Sequence, residues 1–272
     1  MAEEKNFLTD LFTSIGGFFY AACGEVFSFI AFTGRCAYAV LDAFRHPGKI
    51  RRRELLYFMD LCGADGVPIT FLICFLTGVI LGYQCAVQMQ KYGADAFLAG
   101  LVGCAMVREL SPLMVSIIAT GRTGSAFAAE IGSMKVSEEV DALRTMGFMP
   151  ERFLVIPKLF AMTLMMPLLA VIGDIAGILG GALIGMGVLN QPPAAYYAQT
   201  VAWVRPGYFF ESIIKTAVFG IIITFIGCWQ GFRTGSDALA VGRSTTSSVV
   251  LSILFIIIAD TILAHFFNSI FF

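Results

Sequence analysis

The composition of the 272-residue chain is typical of a membrane protein. Hydrophobic residues make up 58% of the sequence and charged residues 14%, whereas soluble domains average about 45–50% apolar and about 25% charged residues. The net charge of −1 argues against a nucleic-acid partner. The seven cysteines and two histidines are scattered, so we expect free thiols and neither a disulfide framework nor a metal site.

Five apolar segments are long enough to cross a bilayer, which takes about 20 mostly apolar residues. Basic residues cluster before the first segment, between the second and third, and between the fourth and fifth. The positive-inside rule therefore places these loops in the cytoplasm and the C-terminus on the opposite side. We predict an all-α membrane protein with five transmembrane helices, over residues 67–89, 97–121, 155–188, 209–231 and 246–268.

The N-terminal region, residues 7–44, is rich in phenylalanine but is interrupted by glycines and by Glu25 and Arg35. We interpret it as an amphipathic helix in the cytoplasmic interface, with a sixth transmembrane helix as the alternative. The predicted domains are therefore 1–66, which holds interfacial and elbow helices, and 67–272, which holds the five transmembrane helices.

The second apolar segment carries charged residues that would lie deep in the bilayer. Arg108, followed directly by Glu109, lies roughly 16 Å into this segment and so near the bilayer midplane, where a charge costs about 2.5–3.5 kcal/mol. Pro112 lacks an N–H group and leaves the carbonyl of Arg108 without its helical donor, so that carbonyl also needs a partner. The segment must therefore face protein or a hydrated cavity.

Two interpretations of the intramembrane charges are open. In the first, they form ion pairs between helices: Arg108 with Glu109 or Asp174, and Lys215 with Glu211 or Asp260. In the second, they form a polar patch that meets a substrate headgroup. For Arg108 and Glu109 we weigh both interpretations equally. We favour the structural role for the remaining four residues, Asp174, Glu211, Lys215 and Asp260.

Small residues recur every four positions in two segments, which lets helix backbones approach closely. Gly78 and Gly82 lie in the first segment, and 173-GDIAGILGG-181 with Gly185 lies in the third. We expect a packing role, with a subunit interface as one place for it. In the outer loop 190–207, we expect Tyr196, Tyr197 and Trp203 to form an interfacial aromatic belt.

The loop between the second and third segments predicts a short helix over 138–146. Ser137 is a good N-cap, acidic residues fill the first turn and Arg144 the last, and Gly147 suits the C′ position before Pro150. Val140, Leu143 and Met146 form an apolar stripe. Such a helix either lies on the membrane or docks in a groove of a cytosolic partner.

The chain carries no GxxxxGK[ST] phosphate loop, so we expect no ATP hydrolysis by this polypeptide. One alternative is an ion- or proton-coupled transporter with Asp174 and Asp260 as the relay. Another is an intramembrane hydrolase that uses Ser125 and His265, but about 30 Å of bilayer would separate these two residues.

Three sequence blocks resemble the MlaE (YrbE-type) permeases, the membrane subunits of Mce-associated ABC transporters. The first is 108–158, which contains RELSP, GRTGSA, EIGSM and DALRTMGF; the others are 173-GDIAGILGG-181 and 237–263 with its VGRSTT motif. Ser111 and Asp141 depart from the family pattern, in which a glycine and a small residue are common, respectively. The resemblance covers roughly 50–272.

The resemblance implies a homodimeric permease of the bacterial inner membrane, with a periplasmic C-terminus, that moves phospholipids between the inner membrane and the periplasm or outer membrane. It implies a cytosolic ABC ATPase that holds ATP-Mg, a Mce-domain lipid-binding protein and, as a further candidate, a small STAS-domain subunit; this chain itself would bind no cofactor. Arg108 and Glu109 would lie in the lipid-binding cavity. The coupling helix would contact the ATPase through Glu138, Glu139, Val140, Asp141, Leu143, Arg144 and Met146.

Overall fold

The computed structural model describes residues 24–25, 27–43, 45 and 52–271. Every regular element in this part of the chain is helical, and five helical segments are long and apolar enough to cross a membrane. The prediction of an all-α membrane protein with five spans is therefore confirmed. The spans are Arg52–Tyr92 (span 1), Asp95–Val136 (span 2), Glu151–Gly187 (span 3), Pro206–Phe232 (span 4) and Ala238–Ser269 (span 5).

The spans are longer than the apolar segments of the sequence. Span 2 has 42 residues, which corresponds to about 63 Å of helix against a hydrocarbon core of about 30 Å. The predicted segment ends at residue 121, but the helix continues through the charged residues Arg122, Glu130 and Lys135. Span 2 begins with the 3-10 turn Asp95–Phe97. It continues with the α-helices Leu98–Ala105, Ser111–Ala119 and Ser125–Val136, which are separated by the π-helical turns Met106–Leu110 and Thr120–Gly124.

The other spans are built from fewer helical elements than span 2. Span 1 joins a short helix, Arg52–Cys62, to a long one, Val67–Tyr92, through the 3-10 turn Ala64–Gly66. Span 3 begins with the π-helical turn Glu151–Val155 and continues as Ile156–Gly187, and span 5 belongs to the helix Ala238–Phe271. Two shorter helices connect the spans: the loop helix, Glu139–Thr145, between spans 2 and 3, and the Pro193–Trp203 helix between spans 3 and 4.

The chain divides into two compact units, Met1–Lys49 and Ile50–Phe272. In the first unit, residues 27–43 are helical; the rest of the predicted N-terminal helix over 7–44 lies largely outside the described residues. The second unit begins before the predicted boundary at 66/67 and includes the helix Arg52–Cys62, which packs against span 3.

Spans 1 and 3 pack through glycines. A Cβ atom on Gly78 would collide with the carbonyl of Gly177, and one on Gly82 would lie 3.2 Å from the Cα of Gly181. A Cβ atom on Gly173 would lie 2.6 Å from the Ser111 hydroxyl of span 2. The glycines of span 3 therefore serve contacts inside one chain, which accounts for them without a subunit interface.

The predicted aromatic belt is only partly formed. Tyr197 is exposed, but Tyr196 is buried, and its hydroxyl donates to the carbonyl of Ile178 at 3.3 Å. Burial raises the pKa of this hydroxyl to about 12. Trp203 covers Gly100, where a Cβ atom would lie 2.5 Å from the indole ring. The belt interpretation was wrong for Tyr196, because that side chain packs on the glycines of span 3 instead of facing the interface.

Candidate functional site

Five charged side chains from three spans meet in the transmembrane region. Arg108 and Glu109 come from span 2, Glu211 and Lys215 from span 4, and Asp260 from span 5. The Lys215 ammonium lies 2.7 Å from Glu109 Oε2, 3.4 Å from Glu211 Oε1 and 3.3 Å from Asp260 Oδ1. Arg108 Nε lies 3.2 Å from Glu211 Oε2. We call these five residues the charge cluster.

The π-helical turn Met106–Leu110 holds Arg108 and Glu109 in place. Pro112 leaves the carbonyl of Arg108 without its helical donor, and the Lys215 ammonium donates to this carbonyl at 3.0 Å. The sequence predicts that the Arg108 carbonyl needs a hydrogen-bond donor, and span 4 supplies it. Lys215 therefore neutralises carboxylates and also donates the hydrogen bond that the Arg108 carbonyl of span 2 lacks.

The charge cluster has a buried centre and an accessible edge. The side chains of Lys215 and Glu211 are fully buried, whereas Arg108 is 19% and Glu109 38% exposed. Buried charges need partners, and the centre supplies them. The edge leaves part of Arg108 and Glu109 available to a ligand.

The structure corrects some of the predicted pairs. Lys215 does pair with Glu211 and Asp260, but Arg108 pairs with Glu211 and not with Glu109 or Asp174. The hydroxyl of Ser212 donates to Asp174 Oδ2 at 3.2 Å, and within the described residues no ion pair includes Asp174. The reason is helix rotation: the face of span 3 that carries Asp174 meets the face of span 4 that carries Ser212.

Two cavities flank Arg108. One, of about 560 Å³, is lined by Glu109, His265 and Asn268 together with apolar residues of span 2. The other, of about 460 Å³, is lined by Trp203, Arg205 and Tyr208. The Arg108 guanidinium borders both and lies 5.0 Å from the centre of the Tyr208 ring, within the range of a cation–π contact.

Sequence reasoning missed Arg205, Tyr208 and His265 as residues of this site. In the sequence, Arg205 is one basic residue of the outer loop 190–207. Pro206 directly after it is a signal for a helix start, and Arg205 is indeed the N-cap of span 4. His265 entered only the hydrolase alternative. The hydroxyl of Ser125, the other residue of that alternative, donates to the carbonyl of Gly121 in its own helix at 2.5 Å.

The loop helix Glu139–Thr145 is close to the predicted 138–146, but it begins differently. Ser137 was wrongly predicted as its N-cap: it ends span 2, with its hydroxyl 3.0 Å from the Ser133 carbonyl. Glu138, with a φ of 60°, is the N-cap. Span 2 continues to Val136, so Ser137 belongs to the end of that helix.

The end of the loop helix follows the prediction. Gly147 has a φ of 79°, and the N–H of Phe148 donates to the carbonyl of Leu143 at 3.0 Å, as in a Schellman motif. Pro150 is then the N-cap of span 3.

The predicted apolar stripe of the loop helix divides into two parts. Val140 is buried and Leu143 half-buried, whereas Met146 is 63% exposed. Phe148 and Met149, just after the helix, are also exposed. On the helix itself, Glu138, Glu139 and Asp141 are exposed, and Arg144 pairs with Asp141 at 3.1 Å. We call Met146, Phe148 and Met149 the exposed apolar surface.

The Permease MlaE family matches residues 55–266. The chain belongs to the MlaE permease family. It is 35% identical over 215 residues to a probable ABC transporter permease protein of Rickettsia conorii, with 79% of this chain and 82% of the relative covered. A probable ABC transporter permease protein of Synechocystis is 35% identical over 217 residues, with 80% and 82% covered.

A plant protein is also similar. The chloroplastic protein TRIGALACTOSYLDIACYLGLYCEROL 1 of Arabidopsis thaliana is 36% identical over 220 residues, with 81% of this chain and 63% of the relative covered. Membership in this family makes the chain a multi-pass membrane subunit of an ABC transporter rather than an enzyme. Such a permease works with an ATPase.

Proposed function

We propose that the chain is the permease of an ABC transporter that moves phospholipids between the bacterial inner membrane and the periplasm or outer membrane, and so helps to maintain the lipid asymmetry of the outer membrane. The chain would lie in the inner membrane with its C-terminus in the periplasm. The name of the Arabidopsis relative refers to a glycolipid, which supports a lipid as the transported class. The two cavities around Arg108 are the observation that carries the proposal.

The cavities suit a phospholipid because cationic and apolar surfaces adjoin. Arg205 is exposed, and no ion pair in the described part of the chain includes it, so its guanidinium is available to a phosphate. Arg108 is oriented by Glu211 and Tyr208 beside it. Guanidinium groups bind phosphate oxygens in bidentate fashion, while Leu101 and Trp203 offer apolar surface for acyl chains.

A second copy of the chain would enclose the site. Trp203, Arg205 and His265 are exposed, so both cavities open to the surface of the single chain. Ligand sites usually bury 70–90% of the surface of a bound small molecule. A homodimer that brings two such surfaces together would provide this burial, and a Mce-domain protein, with or without a small STAS-domain subunit, would complete the transporter.

The loop helix would couple the permease to the cytosolic ATPase, which would hold the ATP-Mg; this chain would bind no cofactor. The exposed apolar surface of Met146, Phe148 and Met149 lies at the end of this helix, where a groove on a partner could receive it. ATP binding drives transport only if it favours one conformation of the permease. Closure of the ATPase would transmit force through Val140 into span 2 and through Pro150 into span 3.

The test is the lipid content of the purified permease–ATPase complex, measured by mass spectrometry. Arg205→Glu should lower the phospholipid occupancy of the cavities around Arg108 about tenfold, because it removes a charge-assisted contact of about 1.5–3 kcal/mol, whereas Arg205→Lys should retain most of it. We prefer Arg205 to Arg108 because Arg108→Ala would leave the buried Glu211 without one of its two cations. Equal lipid content in the Arg205→Glu variant and the wild type would overturn the assignment of this site.

A further inference from the structure

A third cavity, of about 770 Å³, lies away from the charge cluster, at the end of the bundle where span 2 ends and span 3 begins. The helix Arg52–Cys62 forms one wall, with Arg52, Arg53 and Phe58. Span 2 contributes Glu130 and Met134, and the start of span 3 contributes Phe153, Leu154 and Lys158. Neither the predicted site residues nor the proposed transport site includes this cavity.

At the floor of this cavity, a buried cation is paired and lies against aromatic rings. Lys158 is 1% exposed, and its ammonium lies 3.0 Å from Glu130 Oε1. The same ammonium lies 4.5 Å from the centre of the Phe58 ring and 5.6 Å from that of Phe127. Because the charge of Lys158 is balanced by Glu130 and by aromatic faces, the floor suits the glycerol and acyl part of a lipid.

The rim of the cavity carries two arginines, Arg52 and Arg53, beside one acidic residue, Glu54. Arg52 and Arg53 are both exposed, and within the described residues no ion pair includes either of them. In the sequence they end a run of five basic residues between positions 45 and 53. On the same short helix, Leu56 and Tyr57 expose large apolar surfaces. A helix with exposed basic and apolar residues at the end of a span is suited to the interface between lipid headgroups and acyl chains.

We propose that this cavity binds an anionic phospholipid of the adjoining leaflet, with its headgroup between Arg52 and Arg53 and its glycerol region above the Lys158–Glu130 pair. Basic pockets between transmembrane helices on the cytoplasmic side are suited to acidic headgroups, because the anionic leaflet concentrates such lipids there. The bound lipid is a fixed component and not the transported molecule. The lipid would contact the helix Arg52–Cys62, the end of span 2 and the start of span 3, and the loop helix lies between the last two.

The test uses the permease–ATPase complex, with the full-length chain, in nanodiscs with equal amounts of phosphatidylglycerol and phosphatidylcholine, released gently into detergent and analysed by native mass spectrometry. The wild type should retain phosphatidylglycerol in preference to phosphatidylcholine. Each arginine near an anionic headgroup contributes roughly a fivefold gain in affinity. The double variant Arg52→Glu/Arg53→Glu should therefore lower the phosphatidylglycerol occupancy of this cavity at least about tenfold, seen as the loss of one bound lipid per permease.

Two control variants separate this site from general charge effects. Arg52→Lys/Arg53→Lys keeps the charge and should retain the lipid. Lys91→Glu reverses an exposed charge in the last turn of span 1, at the opposite end of that span from Arg52, and should behave as the wild type. Arg205→Glu, which tests the transport site, should also leave this phosphatidylglycerol bound, so failure of one proposal is distinguishable from failure of the other.

Four results would overturn the inference. The first is equal retention of the two lipids by the wild type, and the second is undiminished phosphatidylglycerol in the Arg52→Glu/Arg53→Glu variant. The third is release of the ATPase subunit from that variant with its lipid content unchanged, which would identify the rim as a protein-docking surface. Displacement of the lipid by millimolar inorganic phosphate would likewise show a simple anion site and contradict the lipid assignment.

Discussion

Spans 1 and 3 are joined by glycines, whereas spans 2, 4 and 5 meet around charged side chains. At the first contact, the backbone of Gly78 lies directly against the carbonyl of Gly177, and no side chain fits between them. At the second, Lys215 contacts three carboxylates and one carbonyl. Direct backbone packing permits one arrangement, while a network with several carboxylates around one cation permits exchange of partners. Spans 2 and 4 also share a close glycine contact, since a Cβ atom on Gly227 would lie 2.8 Å from the carbonyl of Gly124. We therefore expect exchange of partners only within the charge cluster.

The largest effect is expected for the centre of the charge cluster. Lys215→Met would leave Glu109 and Asp260 without their cation and the Arg108 carbonyl without its donor. Removing one partner of a buried ion pair costs about 3–5 kcal/mol, so we expect this loss in the free energy of unfolding, measured by thermal unfolding in detergent.

A lysine outside the charge cluster provides the control. Lys135 donates to the carbonyl of Phe232 at 2.8 Å, at the end of span 4. Lys135→Met should cost only about 1–3 kcal/mol, as expected for one hydrogen bond to a charged group. If the two variants unfold at the same temperature, the charge cluster is not the structural centre that we describe.

A smaller loss of stability is expected at the glycine contact. Gly78→Ala places a methyl group against the Gly177 backbone, and overpacking of this kind costs about 1–3 kcal/mol. Gly242→Ala is the matched control, because no atom lies within 4 Å of the place that the added methyl group would occupy in that helix; there alanine should be neutral or raise stability by up to about 1 kcal/mol. A Gly78→Ala protein that unfolds like the wild type would refute the rigid contact between spans 1 and 3.

The smallest effect on stability is expected at the exposed apolar surface. Met146→Asp should change the free energy of unfolding by less than about 0.5 kcal/mol, since the side chain is exposed. It should nevertheless weaken association with the ATPase about tenfold, the usual order for an interface residue of moderate importance. Val140 is unsuitable for this test because it is buried.

The adjacent Thr145→Asp variant adds the same charge to an exposed polar position and should bind the ATPase normally. The measurement is co-purification of the ATPase subunit together with the ATPase activity of the complex. If the Met146→Asp and wild-type permeases bind the ATPase equally well, the loop helix does not couple the permease to the ATPase as we propose.

The existence and order of the spans could be predicted from the sequence because apolar length alone decides them. Their ends could not, since Glu130 and Lys135 look like loop residues until tertiary partners, Lys158 and the Phe232 carbonyl, are known. The demand for a donor at the Arg108 carbonyl followed from Pro112 alone. The identity of the donor depended on how span 4 is rotated, which hydrophobic periodicity does not specify in a helix that is apolar on most faces.

The residues of the site divide in the same way: some could be identified from local sequence, and others only from the packing of the helices. Arg108 and Glu109 could be singled out because a charge at mid-depth needs an explanation. Arg205 and His265 could not, because each lies near a helix end, where polar residues are ordinary. Only the packing of spans 2, 4 and 5 brings them to the cavities around Arg108.

The most direct test of the central claim is ATP-dependent phospholipid transfer by the purified transporter in proteoliposomes. We expect transfer of a labelled phospholipid to require this chain, the ATPase subunit and hydrolysable ATP, and to be lost in the Arg205→Glu permease while the ATPase stays bound. Transfer against a gradient, or nucleotide hydrolysis, by this chain in the absence of any ATPase subunit would contradict the account.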